Sequence, residues 1–151
     1  MTTRKHTQEI FLPVSAEKIF HLLITPSAIR EWWGASRVIV HPKRGGIWIA
    51  AWGEEENQPD YITSATMSVF DPPVRIVMMK YDYFSKNGPL PFAASFETEF
   101  LITRQSNGCI LRITQDGFPS DPVANEFYAA CETGWKTTLE QIALYVEKHY
   151  V

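Results

Sequence analysis

Residues 121–150 read DPVANEFYAACETGWKTTLEQIALYVEKHY, and this stretch decides the fold. Asp121 can cap a helix, and Pro122 suits its first position, where a missing N–H costs nothing. From there a helical stretch runs to about Tyr150. At about 100° per residue, Ala124, Phe127, Tyr128, Cys131, Trp135, Thr138, Leu139, Ile142, Tyr145, Val146 and His149 fall within an arc of roughly 120°. Glu126, Lys136, Glu140, Glu147 and Lys148 lie outside it. The pattern predicts one long amphipathic helix whose broad, ring-rich face must be covered by something else. Gly134 sits inside it and costs roughly 1 kcal/mol relative to alanine. Its direction, at the edge of the stripe, predicts close approach of another element or room for a neighbouring ring.

The elements before that helix supply the cover. His6–Leu12 alternates weakly and reads as a first strand, stopped by Pro13. Ser15 is an N-cap, Glu17 favours the first turn, and Ile19, Phe20, Leu22 and Leu23 make an apolar stripe at helical spacing. Pro26 ends that helix at Thr25. Ser27 is then expected to cap a second short helix carrying Ile29, Trp32 and Trp33, with Gly34 as its stop. From Ser36 onward the period becomes two. Val38 and Val40 share a face, His41–Gly46 turns the chain, and Ile47–Trp52 follows with Trp48, Ala50 and Trp52 on one side. Tyr61–Phe70, Val74–Tyr83, Ala94–Thr103 and Cys109–Gln115 complete the strands, the last two joined at Ser106-Asn107-Gly108. About seven strands with short connections predict an antiparallel sheet in an α+β fold.

Composition sets the outer bounds. The 151 residues amount to a single domain, 1–151. Five Trp, 6 Tyr and 9 Phe make the chain ring-rich, and its aliphatic content is high enough for a folded core. Fourteen basic against 17 acidic side chains leave −3, which makes no case for nucleic acid. The longest apolar run, Ile47–Trp52, is far short of the ~20 residues a membrane helix needs. No secretory pattern is visible, so a cytoplasmic protein is expected, with neither nucleic acid nor membrane as partner.

Specific words now meet this order of elements. LPVSAEKIFHLL (12–23) runs into PSAIREWWG (26–34), then come RGGIW (44–48), DGF (116–118) and GW (134–135). Together they resemble the START-like, helix-grip (SRPBCC) superfamily, and within it the group related to the C-terminal domain of the activator of heat-shock protein 90 ATPase. The resemblance spans about Glu9 to Tyr150. It implies a curved antiparallel sheet wrapped around the C-terminal helix, with a cavity between them. By the same resemblance, Trp32 and Trp33 lie near the cavity mouth, and Gly45, Gly46, Trp48, Gly117, Phe118, Gly134 and Trp135 occupy the family's recurrent positions.

Evidence for catalytic machinery is thin. His6, His21, His41 and His149 show no metal-ligand spacing, so no metal or cofactor is expected. Cys131 lies on the apolar stripe and reads as a small buried hydrophobe; Cys109, beside a hairpin, has no better claim to reactivity. Glu97 and Glu99 share a strand face about 7 Å apart, but they alternate with Phe96, Thr98 and Phe100 as an ordinary solvated face does. Asp116 and Asp121 read as turn and cap residues. The Glu54-Glu55-Glu56 cluster reads as a solvated loop. No catalytic residue is assigned.

What remains is a ring-lined cavity. Trp48, Tyr81, Phe96, Phe127 and Trp135 are the candidate walls, joined by Phe118 and Cys131. Trp32 and Trp33 are the candidates for the rim: neighbours 100° apart on a helix cannot both face the core, so one of the two is expected near the surface or at the cavity entrance. The expected function is non-catalytic binding of a small apolar or amphipathic molecule. Two alternatives stand beside it: interaction with a chaperone ATPase, and polyketide-cyclase-like catalysis.

Overall fold

The computed structural model describes residues 2–151; Met1, the first residue of the expected domain, lies outside them. Strand β1 (Thr3–Leu12) is followed by two short helices, α1 (Ala16–Ile24) and α2 (Pro26–Trp33). Six more strands come next: β2 (Arg37–Val40), β3 (Ile47–Trp52), β4 (Tyr61–Asp71), β5 (Arg75–Ser85), β6 (Glu97–Gln105) and β7 (Gly108–Pro119). Helix α3 (Asn125–Tyr150) closes the chain. The strands form one antiparallel sheet in the order β1-β7-β6-β5-β4-β3-β2. Strands β2 to β7 each pair with their neighbours in sequence, whereas β1 pairs with β7, so α1 and α2 carry the chain from one sheet edge to the other. This is the expected α+β helix-grip architecture, a curved seven-stranded sheet around the long C-terminal helix.

Local chemistry explains the boundaries. The Lys18 N–H donates to Ser15 Oγ at 3.3 Å, which caps α1. The second helix begins at Pro26 with Thr25 in the cap position, not with Ser27 as its cap. The reason is that the ring of Pro26 already holds a helical φ, so the boundary falls before proline. Gly34 ends α2 at φ 72° and donates to Arg30 O at 3.0 Å, the left-handed stop expected of glycine. The long helix also starts later than the pattern predicts. Pro122–Ala124 is a 3-10 turn in which Asp121 accepts the Val123 N–H at 2.9 Å and Ala124 donates to Asp121 O.

Gly134 corrects a second expectation. A Cβ there would meet nothing within 4 Å, and the residue is exposed, so no element approaches it and no ring uses the space. The strand limits shift too, with β6 starting at Glu97 rather than Ala94 and β7 running on to Pro119. Before Glu97 neither neighbour offers a ladder: β5 pairs with β6 only as far as Met78 opposite Thr98, and β7 breaks its register near Gly117.

The solid part of the core gathers Leu139, Ile142 and Val146 of α3 with Leu12, Leu22, Ile29, Met67, Phe100 and Leu111. Among the described residues no helix is long and apolar enough to cross a membrane.

Candidate functional site: a ring-walled cavity

A cavity of about 440 Å³ lies where the N-terminal half of α3 faces the sheet, within the size range of small-molecule sites. Helix α3 presents Phe127, Cys131 and Trp135, spaced i, i+4, i+8 along one stripe. Trp33 comes from α2, and Trp48 and Trp52 from β3. Tyr61 and Thr63 of β4, Met78, Tyr81 and Tyr83 of β5, and Phe96 before β6 form the opposite side. Gln115 and Phe118 of β7 complete it.

Two β-bulges aim these side chains. Ser64 pairs with Asp82 but Thr66 pairs with Met79, so β5 carries an extra residue opposite Ala65. Lys80 absorbs it at φ 55°, a left-handed conformation uncommon for a residue other than glycine. Strict alternation would put Met78 and Tyr81 on opposite faces; the bulge brings both to the cavity and leaves Lys80 exposed. The second bulge is on β7, where Arg4 pairs with Phe118 but His6 pairs with Gln115. Gly117 takes φ 97° there, and a Cβ would stand 2.2 Å from Ser95 O. Only glycine fits, and it turns Gln115 and Phe118 to the same side.

The five tryptophans form one cluster centred on Trp33. Its ring lies 4.8 Å from Trp52, 5.2 Å from Trp48, 5.4 Å from Trp135 and 5.8 Å from Trp32. The indoles of Trp32, Trp48 and Trp52 donate to Leu22 O, Leu23 O and Trp33 O, at 2.9, 3.0 and 3.3 Å. These bonds tie α1 and α2 to β3 and lock the ring orientations. A second cluster gathers Phe96, Phe118 and Phe127, with Phe92 of the β5–β6 connection 5.8 Å from Phe127.

The lining contains no Asp, Glu, Lys, Arg or His. Three of its ionisable groups, Cys131, Tyr81 and Tyr83, are held in their neutral forms by burial. Burial pushes the Cys131 thiol up to about 12 and the Tyr81 phenol well above its ordinary range, while Tyr83 is raised chiefly by burial and also by Tyr61. Near neutrality the site therefore offers hydroxyl, amide and thiol groups on an apolar wall, a surface chemically suited to neutral rather than charged groups. Elsewhere, Glu99 pairs with Arg75 at 2.8 Å on the outer face, and Glu31 pairs with His149 at 2.9 Å. Among the described residues no three His, Cys, Asp or Glu side chains gather as metal ligands do.

Of the nine residues singled out from sequence, eight line this cavity: Trp33, Trp48, Tyr81, Phe96, Phe118, Phe127, Cys131 and Trp135. Trp32 does not. It is 2% exposed, packed behind Trp33 with its N–H spent on Leu22, so it is core and Trp33 is the half-buried member of the pair. Sequence reasoning missed Trp52, Tyr61, Thr63, Met78, Tyr83 and Gln115. For Trp52 the signal was available, since it shares a strand face with Trp48. For Met78 it was not, because its placement beside Tyr81 depends on the bulge.

Residues 13–147 match the family described as Activator of Hsp90 ATPase homolog 1-like protein, and the chain belongs to that family. No curated protein sequence matches it. Solved structures share the fold. A protein from Mesorhizobium loti is 18% identical, with a TM-score of 0.79 over 98% of this chain and 100% of its own. One from Rhizobium leguminosarum is 16% identical, with a TM-score of 0.77 over 98% and 97%. DynU16, a protein of the dynemicin biosynthetic locus, is 13% identical, with a TM-score of 0.74 over 95% of this chain and 47% of its own. These neighbours share the START-like, helix-grip fold.

Proposed function

We propose that this protein, a single domain acting in the cytoplasm, binds a small apolar or amphipathic molecule without transforming it, in the cavity between sheet and α3. One observation carries this function: about 440 Å³ is walled mainly by aromatic rings and bordered by no charged side chain. Burying a ligand's apolar surface there returns roughly 25 cal/mol per Å² removed from water, while a buried unpaired charge would be opposed. Ligand selection then falls to the few polar groups on the wall. Native mass spectrometry of gently purified protein should show a co-purifying small molecule, and a library of lipids and aromatics should contain members that raise the melting temperature. Failure of both overturns the proposal.

The family's description supports an alternative in which the partner is a chaperone ATPase. An ATPase assay with the cognate chaperone tests it, and absence of stimulation removes it. A polyketide-cyclase-like activity is a further alternative, favoured by the place of DynU16 in a biosynthetic locus. The lining offers no carboxylate or imidazole for acid–base work. Turnover of a poly-β-keto substrate by the purified protein would reinstate it.

A further inference from the structure

We propose that Tyr81 determines the specificity of this cavity by donating a hydrogen bond to an acceptor oxygen, of the carbonyl class, on a neutral flat ligand. This rests on the ligand-binding reading above and names the chemistry that the site selects.

Tyr81 ends a chain of buried and half-buried polar side chains that crosses four strands, β1, β7, β6 and β5. The amide nitrogen of Gln115 donates to Thr98 Oγ1 at 3.3 Å. The oxygen of that amide consequently faces His6 Nε2, 2.8 Å away, which fixes the imidazole hydrogen on Nε2. His6 Nδ1 is left as an acceptor, and Gln8 Nε2 stands 3.3 Å from it. Every bond points the same way, from Gln8 through His6 and Gln115 to Thr98. His6 is 4% exposed and Thr98 is 0% exposed, so the chain's direction is held by packing.

The last link carries one hydrogen too many. Tyr81 Oη and Thr98 Oγ1 are 2.7 Å apart, and between them they own two hydroxyl hydrogens but only one contact. As folded, Tyr81 donates to Thr98. The Thr98 hydrogen then finds no acceptor among the described residues, in a place without exposure, which is costly. An acceptor oxygen beside Tyr81 removes the conflict. Both hydroxyl rotors reverse, Thr98 donates to Tyr81, Tyr81 donates to the ligand, and every hydrogen is used. A neutral acceptor fits, because an anion would find no cationic partner on the wall. A flat molecule fits because ring faces make most of the lining. The strained Lys80 bulge is what brings Tyr81 to this position, and backbone strain of that kind concentrates at functional sites.

The test compares 9-fluorenone with fluorene, which differ by a carbonyl in place of a methylene, using tryptophan fluorescence to read affinity. In Tyr81→Phe the ratio of fluorenone to fluorene affinity should fall about 3–10-fold, with fluorene binding unchanged. The carbonyl stretch of bound fluorenone should lie at lower frequency in the wild-type protein than in Tyr81→Phe. Thr98→Val should keep the preference, since the Tyr81 hydrogen is then free to donate. An affinity ratio and carbonyl frequency that ignore Tyr81→Phe overturn the assignment while leaving the cavity reading intact. Loss of the preference in a folded Thr98→Val protein gives the donor role to Thr98 and also overturns it. Binding of neither probe to the wild-type protein overturns the cavity reading, and the role of Tyr81 with it.

Discussion

The two halves of α3 use the same helical stripe to opposite ends. Toward its C-terminus, Leu139, Ile142 and Val146 are 3%, 0% and 1% exposed and merge with the aliphatic core shared with β1 and α2. Toward its N-terminus, Phe127, Tyr128 and Cys131 are only half-buried, and Trp135 at 7% stands on the border. Branched aliphatic side chains interdigitate and fill space to the density of a crystal. Flat rings held at fixed angles by indole N–H bonds do not collapse on one another in the same way. Where β5 parts from β6 after Met78, the sheet supplies no strand to close the gap. Hydrophobicity thus does two jobs along one helix: at one end it holds the fold, and at the other it encloses a volume.

The sharpest way to break this contrast is to truncate each half. Ile142→Ala should cost about 2–5 kcal/mol, because a well-packed site leaves a void that cannot collapse. A denaturant melt measures it. Trp135→Ala removes more atoms but borders space that already exists, so it should cost less than the ~3–5 kcal/mol usual for a core tryptophan; a loss equal to or larger than that of Ile142→Ala would erase the distinction. The half-buried Cys131 tests the contrast along a different axis, pH. Its thiol sits near 9 when unfolded and about 12 when folded. The folded value is the raised one, so the associated stability is complete below pH 9 and is lost as pH rises toward 12. Cys131→Ser should flatten that part of the alkaline melting curve. The least effect, and of opposite sign, belongs to Gly134→Ala, which meets open space on an exposed helical face and should stabilise by about 0.5–1 kcal/mol in a thermal melt.

Much of this contrast was legible beforehand. The stripe of α3, the shared face of Trp48 and Trp52, and the Ser15 and Gly34 caps follow from spacing and backbone chemistry alone. What resisted reading depends on partners distant in sequence. Strand β1 sends Arg4, His6 and Gln8 inward between exposed Lys5, Thr7 and Glu9, so with polar residues on both faces its alternation says nothing about which is buried. His6 becomes interior only through Gln115, 109 positions away. The choice between Trp32 and Trp33 turned on a carbonyl of α1 that accepts one indole. The Lys80 bulge lies in a run, Met78-Met79-Lys80-Tyr81, where nothing local marks the extra residue.

That bulge makes the bend of the cavity wall separable from its identity. Removing Lys80 would restore a plain ladder to β5, yet Tyr81 and Tyr83 would keep their inward phase. The pairs on either side, Ser64 with Asp82 and Thr66 with Met79, would keep their register, and β5 would lose only the local bend that the extra residue gives it. A single-residue deletion at this point therefore straightens the strand without rewriting the pattern of side chains that faces the chamber.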